Sequence, residues 1–254
     1  MSDASVNIHS LEREPESAME AAVTAVRAGE CIVLPTDTVY GIGADAFNAA
    51  AVAKLLAAKG RGRDMPPPVL VGDPQVMMAL GTDISDHAKE LAAEHWPGAL
   101  TIIVTAQQSL QMDLGETRGT IAIRVPDDDA TRELLRRTGP LAVSSANRSG
   151  HPAAGTVAEA KRQLGGSVAV YLDGGDRSGN APSTIIDFTR SKYGTVLRHG
   201  ALGLELLRET VPFLEDGAPT EKPTTGGSNA EVPSADEAGA DESGVGEQEQ
   251  PPSA

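Results

Sequence analysis

The chain has 254 residues, of which 40 % are hydrophobic and only 3 % aromatic, and its formal net charge is −15 at pH 7. This length fits one large α/β domain or two small ones, with a core built mostly from aliphatic side chains. The acidic balance argues against a protein that coats nucleic acid non-specifically, but it leaves room for a local basic pocket. The sequence contains no transmembrane-length apolar run, no apolar segment typical of a signal peptide and only one cysteine, Cys31. We therefore expect a cytoplasmic protein with no membrane association.

Helical and strand-like patterns alternate along the middle of the chain. Helices are predicted in PESAMEAAVTAVRAG, NAAAVAKLLAAKG with Asn48 as its N-cap, DPQVMMALG with Pro74 in its first turn, SDHAKELAAEHW, DDDATRELLRRTG, TVAEAKRQLG and LGLELLRET. Strands are predicted in CIVLP, PPPVLV, ALTIIVT, TIAIRVP, LAVSS, VAVYLD, STIIDF and GTVLRH. This alternation indicates a layered α/β domain, and the close spacing of the last strands favours a mixed sheet.

The two ends of the chain differ from this middle part. Residues 1–14 are predicted to be a polar N-terminal arm, and residues 15–214 a single domain. Residues 215–254 contain ten acidic residues and one lysine among Gly, Pro, Ser and Ala, with almost nothing to bury. We expect this last segment to be a disordered acidic tail.

Two predicted strands end in clusters of polar side chains. PTDTVYGIG, residues 35–43, follows one apolar run, and SSANRSG, residues 144–150, follows another. The local pattern alone fits an ordinary loop equally well. Two such strand ends in one domain nevertheless predict a polar ligand crevice, because ligands of open α/β sheets bind at strand ends.

The segment KGRGRD, residues 59–64, carries three cations in five positions of an acidic protein. Lys59, Arg61 and Arg63 would point to one side if the segment were extended, and such a cluster suits a polyphosphate. A solvated helix end is the alternative. Arg124 lies within a predicted strand, where it needs either solvent or a ligand carboxylate or phosphate.

Several other chemistries are excluded by the sequence. It has no P-loop motif, and GIGADA is separated from its strand by a predicted polar loop, which argues against a dinucleotide fingerprint. The five histidines lack metal-binding spacing, so no metal site built by protein side chains alone is expected. Cys31 and the only tryptophan, Trp96, are interpreted as core residues.

Taken in order, PTDTVYGIG, KGRGRD, WPGALT, TIAIRVP, SSANRSG, STIID and VLRHG resemble the YrdC family, the threonylcarbamoyl-AMP synthases, over about residues 20–210. The resemblance implies a single YrdC-like α/β domain with a twisted mixed parallel/antiparallel sheet and flanking helices around a deep crevice. It implies a short form, because only the acidic tail follows the synthase domain. The implied reaction condenses L-threonine, bicarbonate or CO2 and ATP into threonylcarbamoyl-AMP and pyrophosphate, with Mg²⁺ accompanying ATP. The product would serve threonylcarbamoyl-adenosine modification of tRNA through downstream threonylcarbamoyl-transferase proteins, and a contact with tRNA itself is part of the expectation.

The resemblance also implies roles for particular residues. The catalytic pair would be Lys59 and Arg61, which would hold the triphosphate. Threonine would be bound by Thr38, Arg124 and Ser183. The nucleotide would also be contacted by Met65, Thr120, Val143, Ser145 and Arg198. The chain departs from the family pattern at Leu70, where some members place a histidine against threonine, and at Ala153, where a serine is frequent.

Two alternatives remain open at the level of sequence. One is a carbamoyl-adenylate-forming module of another pathway, although such modules are attached to a large partner domain. The other is an RNA-binding module, against which the acidic body and the low aromatic content weigh.

Overall fold

The computed structural model describes residues 7–177 and 181–218. By its contacts the chain separates into residues 1–219 and 220–254, and the second unit lies outside the described residues. The helices of the described part are α1 (Pro15–Arg27), α2 (Ala49–Lys59), α3 (Val76–Leu80), α4 (Asp86–His95), α5 (Asp129–Thr138), α6 (Val157–Leu164) and α7 (Leu204–Thr210). Its strands are β1 (Asn7–Ser10), β2 (Ile32–Leu34), β3 (Gly41–Asp45), β4 (Val69–Leu70), β5 (Gly81–Thr82), β6 (Leu100–Ala106), β7 (Thr120–Arg124), β8 (Leu141–Ser145), β9 (Val170–Asp173), β10 (Thr184–Asp187), β11 (Thr195–Arg198) and β12 (Glu215–Asp216).

Side-chain caps mark where several helices begin. Asn48, Ser85, Asp128 and Thr156 each accept a hydrogen bond from a backbone N–H of the first helical turn, at α2, α4, α5 and α6. Such a bond satisfies one of the amides that a helix start leaves unpaired. The predicted cap at Asn48 is confirmed. Pro74 lies before α3 rather than in its first turn, and its carbonyl accepts from the amide of Met77.

The strands form one mixed sheet in the order β1-β9-β2-β3-β8-β4-β7-β6-β10-β11-β12, with β5 beside β6. The pairs β1·β9, β2·β9, β4·β7, β6·β10 and β11·β12 are parallel, and the other pairs are antiparallel. The predicted mixed α/β sheet with flanking helices is therefore confirmed.

The two faces of the sheet bury two separate apolar clusters. In β2, Ile32 and Leu34 pack with residues of α1 and α5, whereas Val33 belongs to the larger cluster that includes residues of α2, α4 and α7. This division follows from the alternation of side chains along a strand. Helices thus cover both faces, and Trp96 and Cys31 lie in the larger cluster, as predicted.

Three parts of the chain differ from the sequence prediction. Residues 7–10 of the predicted arm form edge strand β1 against β9, and residues 215 and 216 of the predicted tail form β12 against β11. Residues 41–45, which are not among the predicted strands, form β3 between β2 and β8. These strands are short or rich in glycine, so they lack the apolar alternation by which a strand is recognised. The rest of the predicted tail lies outside the described residues.

Among the helices of the described residues, none combines the length and the apolar composition that crossing a membrane requires.

Candidate functional site

A cavity of about 360 Å³ opens where several strands of the sheet begin or end. Residues of the loop after β2, of β4, β8 and β10, and of the segment after α2 line it. Residues at the ends of β6, β7 and β11 complete the lining. The lining residues are Thr36, Thr38, Val39, Tyr40, Gly41, Arg61, Met65, Pro66, Pro68, Leu70, Thr101, Arg124, Val143, Ser144, Ser145, Ala153, Pro182, Ser183, Ile185 and Arg198.

The cavity has an excess of positive charge. Arg61, Arg124 and Arg198 line it, and the described lining contains no Asp or Glu. Burial lowers the pKa of Arg198, and the positive charges of Arg124 and Arg61 lower it further. Like charges held together in a partly desolvated place are unfavourable unless an anion joins them. The cavity is therefore suited to an anionic ligand, within a protein whose overall charge is negative.

A second cavity, of about 540 Å³, lies between the loops that follow β1 and β9 and the start of α5. Although it is larger, it is lined by Glu12, Asp128, Asp129 and Asp173 beside two arginines. One of these arginines, Arg177, already pairs with Asp128 at 2.9 Å. This acidic lining is unsuited to a polyanion, so we assign the functional site to the smaller, cationic cavity.

Arg124 is the most deeply buried of the three arginines that line the cavity, with 6 % of its surface exposed. Its Nη2 donates to Asp37 Oδ1 at 2.6 Å, its Nη1 to Thr38 Oγ1 at 3.1 Å and its Nε to the carbonyl of Gly98 at 3.0 Å. Burial lowers the pKa of Arg124, while the Asp37 carboxylate opposes that shift. A guanidinium has five N–H groups, so two remain to donate to a ligand carboxylate. The surface-facing alternative for Arg124 is wrong, because this residue is buried and lines the cavity.

Hydroxyl groups from distant parts of the chain converge on the same cavity. Thr36 Oγ1 and Thr38 Oγ1 lie 3.1 Å apart, and Thr101 Oγ1 lies 2.8 Å from Ser183 Oγ. Arg198 donates from Nη2 to the hydroxyl and to the carbonyl of Ser183. Thr36 and Thr38 from the loop after β2 and Ser183 from the segment before β10 thus line the same cavity. Thr101 was not predicted, because it precedes the aliphatic run of β6 and resembles an ordinary strand threonine.

Lys59 is buried next to the cavity but is not one of its lining residues. It is the last residue of α2, is 3 % exposed and donates from Nζ to the carbonyls of Ser145 and, at 2.7 Å, of Asn147. Burial lowers the pKa of Lys59 to about 8, and the charge of Arg61 adds to the effect. Lys59 thus holds the loop that follows β8, and an ammonium group has one more proton to donate.

The three cations of the 59–64 segment point in different directions, so the prediction that they share one side is wrong. Gly60 adopts a left-handed conformation, with φ 62° and ψ 36°, which turns the chain immediately after α2. Arg61 enters the cavity and donates to Ser144 Oγ at 3.1 Å, and no described residue accepts from its buried Nε. Arg63 points away and pairs with Asp113 at 2.6 Å.

The other sequence-predicted residues divide into two groups. Met65, Val143 and Ser145 line the cavity, as do Leu70 and Ala153, the two departures from the family pattern. Thr120 does not, and its Oγ1 donates to the carbonyl of Thr117. Thr120 stands four residues before Arg124, about 13 Å away along β7. The nucleotide contact of Thr120 therefore stays a prediction. It requires a ligand that extends beyond the cavity along β7.

Neither a thiol nor a metal cluster belongs to this site. Cys31 is buried in the core, and burial raises the pKa of its thiol to about 11. Among residues 7–177 and 181–218, no three His, Cys, Asp or Glu side chains stand close enough to hold a metal ion. The chemistry available here is the positioning and neutralisation of anions by arginine, lysine and hydroxyl groups.

Fold and site together define an α/β domain whose cationic crevice is suited to an anionic small molecule. Comparison with known proteins shows the family. Residues 24–200 match the model of the Sua5/YciO/YrdC family, which bears the description "Telomere recombination". The chain belongs to this family, and the resemblance inferred from its motifs is confirmed.

Individual relatives agree with the family match. Over 191 residues the chain is 51 % identical to a Mycobacterium tuberculosis (strain H37Rv) protein named "Putative threonylcarbamoyl-AMP synthase", covering 75 % of this chain and 88 % of that one. It is 34 % identical to the threonylcarbamoyl-AMP synthase of Bacillus subtilis, covering 78 % and 57 %. Among solved structures, Pyrococcus abyssi Sua5 complexed with L-threonine matches with a TM-score of 0.77 and 30 % identity, covering 82 % of this chain and 62 % of that one. The chain thus spans about three fifths of the Pyrococcus protein.

Proposed function

We propose that the chain is an L-threonylcarbamoyladenylate synthase, a nucleotidyltransferase that condenses L-threonine, bicarbonate or CO2 and ATP into threonylcarbamoyl-AMP and pyrophosphate. The observation that carries the proposal is the cavity in which Arg61, Arg124 and Arg198 face hydroxyl groups with no carboxylate in the described lining. This lining matches substrates that bring a carboxylate, a hydroxyl and a chain of phosphates. The relatives' names support the same reaction.

The proposed chemistry requires no nucleophilic side chain. The ammonium group of threonine first loses a proton to solvent. The resulting amine attacks CO2 and releases a second proton to solvent, which gives a carbamate anion. A carbamate oxygen then attacks the α-phosphorus of ATP, and the bond to pyrophosphate breaks. Because both reactants are anions, the barrier lies mainly in bringing them together, and catalysis is positioning plus charge neutralisation. Mg²⁺ arrives with ATP as part of that substrate and neutralises further phosphate charge.

Three of the cations have separate tasks in this proposal. Arg124, oriented by Asp37 and Gly98, binds the threonine carboxylate through its two remaining N–H groups. Arg61, whose Nε has no described acceptor, contacts the phosphates. Lys59 orders the backbone from residue 145 to residue 147 and offers its third proton to the same phosphates.

The direct test is to incubate the purified protein with L-threonine, ¹³C-bicarbonate and Mg-ATP, and to look for pyrophosphate and ¹³C-labelled threonylcarbamoyl-AMP by mass spectrometry. We expect both products, each dependent on threonine and on bicarbonate. Arg124→Ala serves as the inactive control. Adenylate formation that requires carbamoyl phosphate instead of threonine would replace this proposal with a carbamoyl-adenylate module. Salt-dependent tRNA binding without ATP turnover would replace it with an RNA-binding module.

A further inference from the structure

The hydroxyl pair formed by Thr101 and Ser183 is almost completely enclosed by protein at the cavity wall. Thr101 is 1 % exposed and Ser183 5 %, and both line the cavity. Thr101 stands near the start of β6, with Ile185 of β10 opposite it on one side. On the other side, the pairing of Ile102 with Ile123 places Thr101 beside Arg124.

A count of protons shows that this pair lacks an acceptor. Each hydroxyl has one proton to donate and two lone pairs that accept. If Thr101 donates to Ser183, then Ser183 Oγ accepts from both Thr101 and Arg198, and the hydroxyl proton of Ser183 is left without an acceptor. If Ser183 donates to Thr101, the proton of Thr101 remains. In either case no described residue accepts the second proton.

A buried donor without an acceptor is unfavourable and rare in folded proteins, so this one requires an acceptor from elsewhere. The pair borders the cavity, and a bound ligand can bring an oxygen there. Arg124 already has two N–H groups for the carboxylate of an amino acid. The proton of the hydroxyl pair therefore suits a different oxygen of the same substrate, close to the carboxylate.

We infer that Thr101 is a specificity-determining residue, which together with Ser183 donates one hydrogen bond to the side-chain hydroxyl oxygen of the amino-acid substrate. The inference rests on the proposed function and deepens it, since it names the group that distinguishes threonine from its near-isostere valine. Valine would place a methyl group against the buried proton and leave it unpaired. A site built to bond a hydroxyl rejects an analogue that lacks it for this reason.

Thr101→Val tests the inference, because it removes the hydroxyl and keeps the branched shape. We expect kcat/KM for threonine to fall about 10- to 100-fold, with KM for ATP unchanged. The inhibition constant of valine, measured as a competitor of threonine, should stay the same or improve. The preference for threonine over valine, expressed as the ratio of these two constants, should therefore fall. Thr101→Ser keeps the hydroxyl and should retain most of this ratio.

Thr105→Val is the matched control, since Thr105 lies on the same strand but not in the cavity. Its melting temperature and kinetics should resemble those of the unmodified protein, and the melting temperature of Thr101→Val shows whether that variant is folded. An unchanged ratio in folded Thr101→Val, or an equal loss for threonine and valine, overturns the inference while the proposed function stands. An unmodified protein that neither binds threonine in calorimetry nor forms the adenylate overturns both.

Discussion

Arg61 and Arg63 lie two positions apart and have entirely different surroundings. Arg61 enters the cavity, whereas Arg63 is bound to Asp113 at the surface. We expect Arg61→Ala to slow adenylate synthesis about 30- to 1000-fold, because a charge-assisted contact to the reacting phosphate contributes about 2–4 kcal/mol to lowering the barrier. Arg63→Ala removes the same charge from the same segment and should change the rate no more than a few-fold. Equal rates for the two variants would contradict the phosphate contact of Arg61.

Lys59 should give the reaction a pH dependence on the alkaline side. Its folded-state pKa of about 8 lies below the ordinary 10.5, because burial disfavours the ammonium form. Above pH 8 the native protein therefore loses this charge, and we expect kcat/KM for ATP to fall there. The same shift opposes folding below pH 8, and that unfavourable contribution disappears as the pH rises to 10.5.

Lys59→Arg tests this assignment, because a guanidinium keeps its charge throughout this range. The alkaline fall in kcat/KM should disappear in this variant, even if the absolute rate is lower. An alkaline fall at the same pH in the folded variant would mean that another group titrates.

Helix α2 connects the core to the site, since its last residue is Lys59 and the cavity segment follows it. Its first turn is held by Asn48 Oδ1, which accepts from the amide of Ala51 at 3.1 Å. Asn48→Ala should lower the free energy of unfolding by about 1 kcal/mol, because that amide loses its partner. Asn48→Asp retains an acceptor and should be nearly neutral. Urea unfolding of the three proteins measures the difference, and an equal loss in both variants would show that the cap is not the cause.

The distribution of charge along the whole chain is uneven. Ten of its 36 acidic residues follow residue 214, together with a single lysine. A segment of this composition has little to bury, and its charge is repelled by anionic substrates. The described strands end at Asp216, and the amide of Gly217 still donates to the carbonyl of Val196.

Truncation after Ala218 keeps all of the described structure, and we expect it to leave the melting temperature and the synthase activity almost unchanged. Truncation after Leu214 removes β12 as well and should lower the melting temperature. A large loss of activity in the longer truncated form would show that the acidic segment contributes to the site.

Local pattern and residue order determined a large part of this protein. The helices and the longer strands follow from apolar periodicity and caps, as at Asn48, and the family follows from motifs in a fixed order. These features depend on neighbours in the sequence, which is why they can be recognised without a structure.

Only the tertiary structure decided which groups meet. Folding brings Thr101 into contact with Ser183, 82 positions away in the chain. It makes Gly41–Asp45 a strand, because β2 and β8 supply pairing partners on both sides. The left-handed conformation of Gly60 directs Lys59, Arg61 and Arg63 to different places. A hydroxyl on a strand has the same local sequence signature whether it faces a ligand or a neighbouring side chain. The partner that distinguishes these cases comes from a distant segment, and folding alone brings that segment into contact.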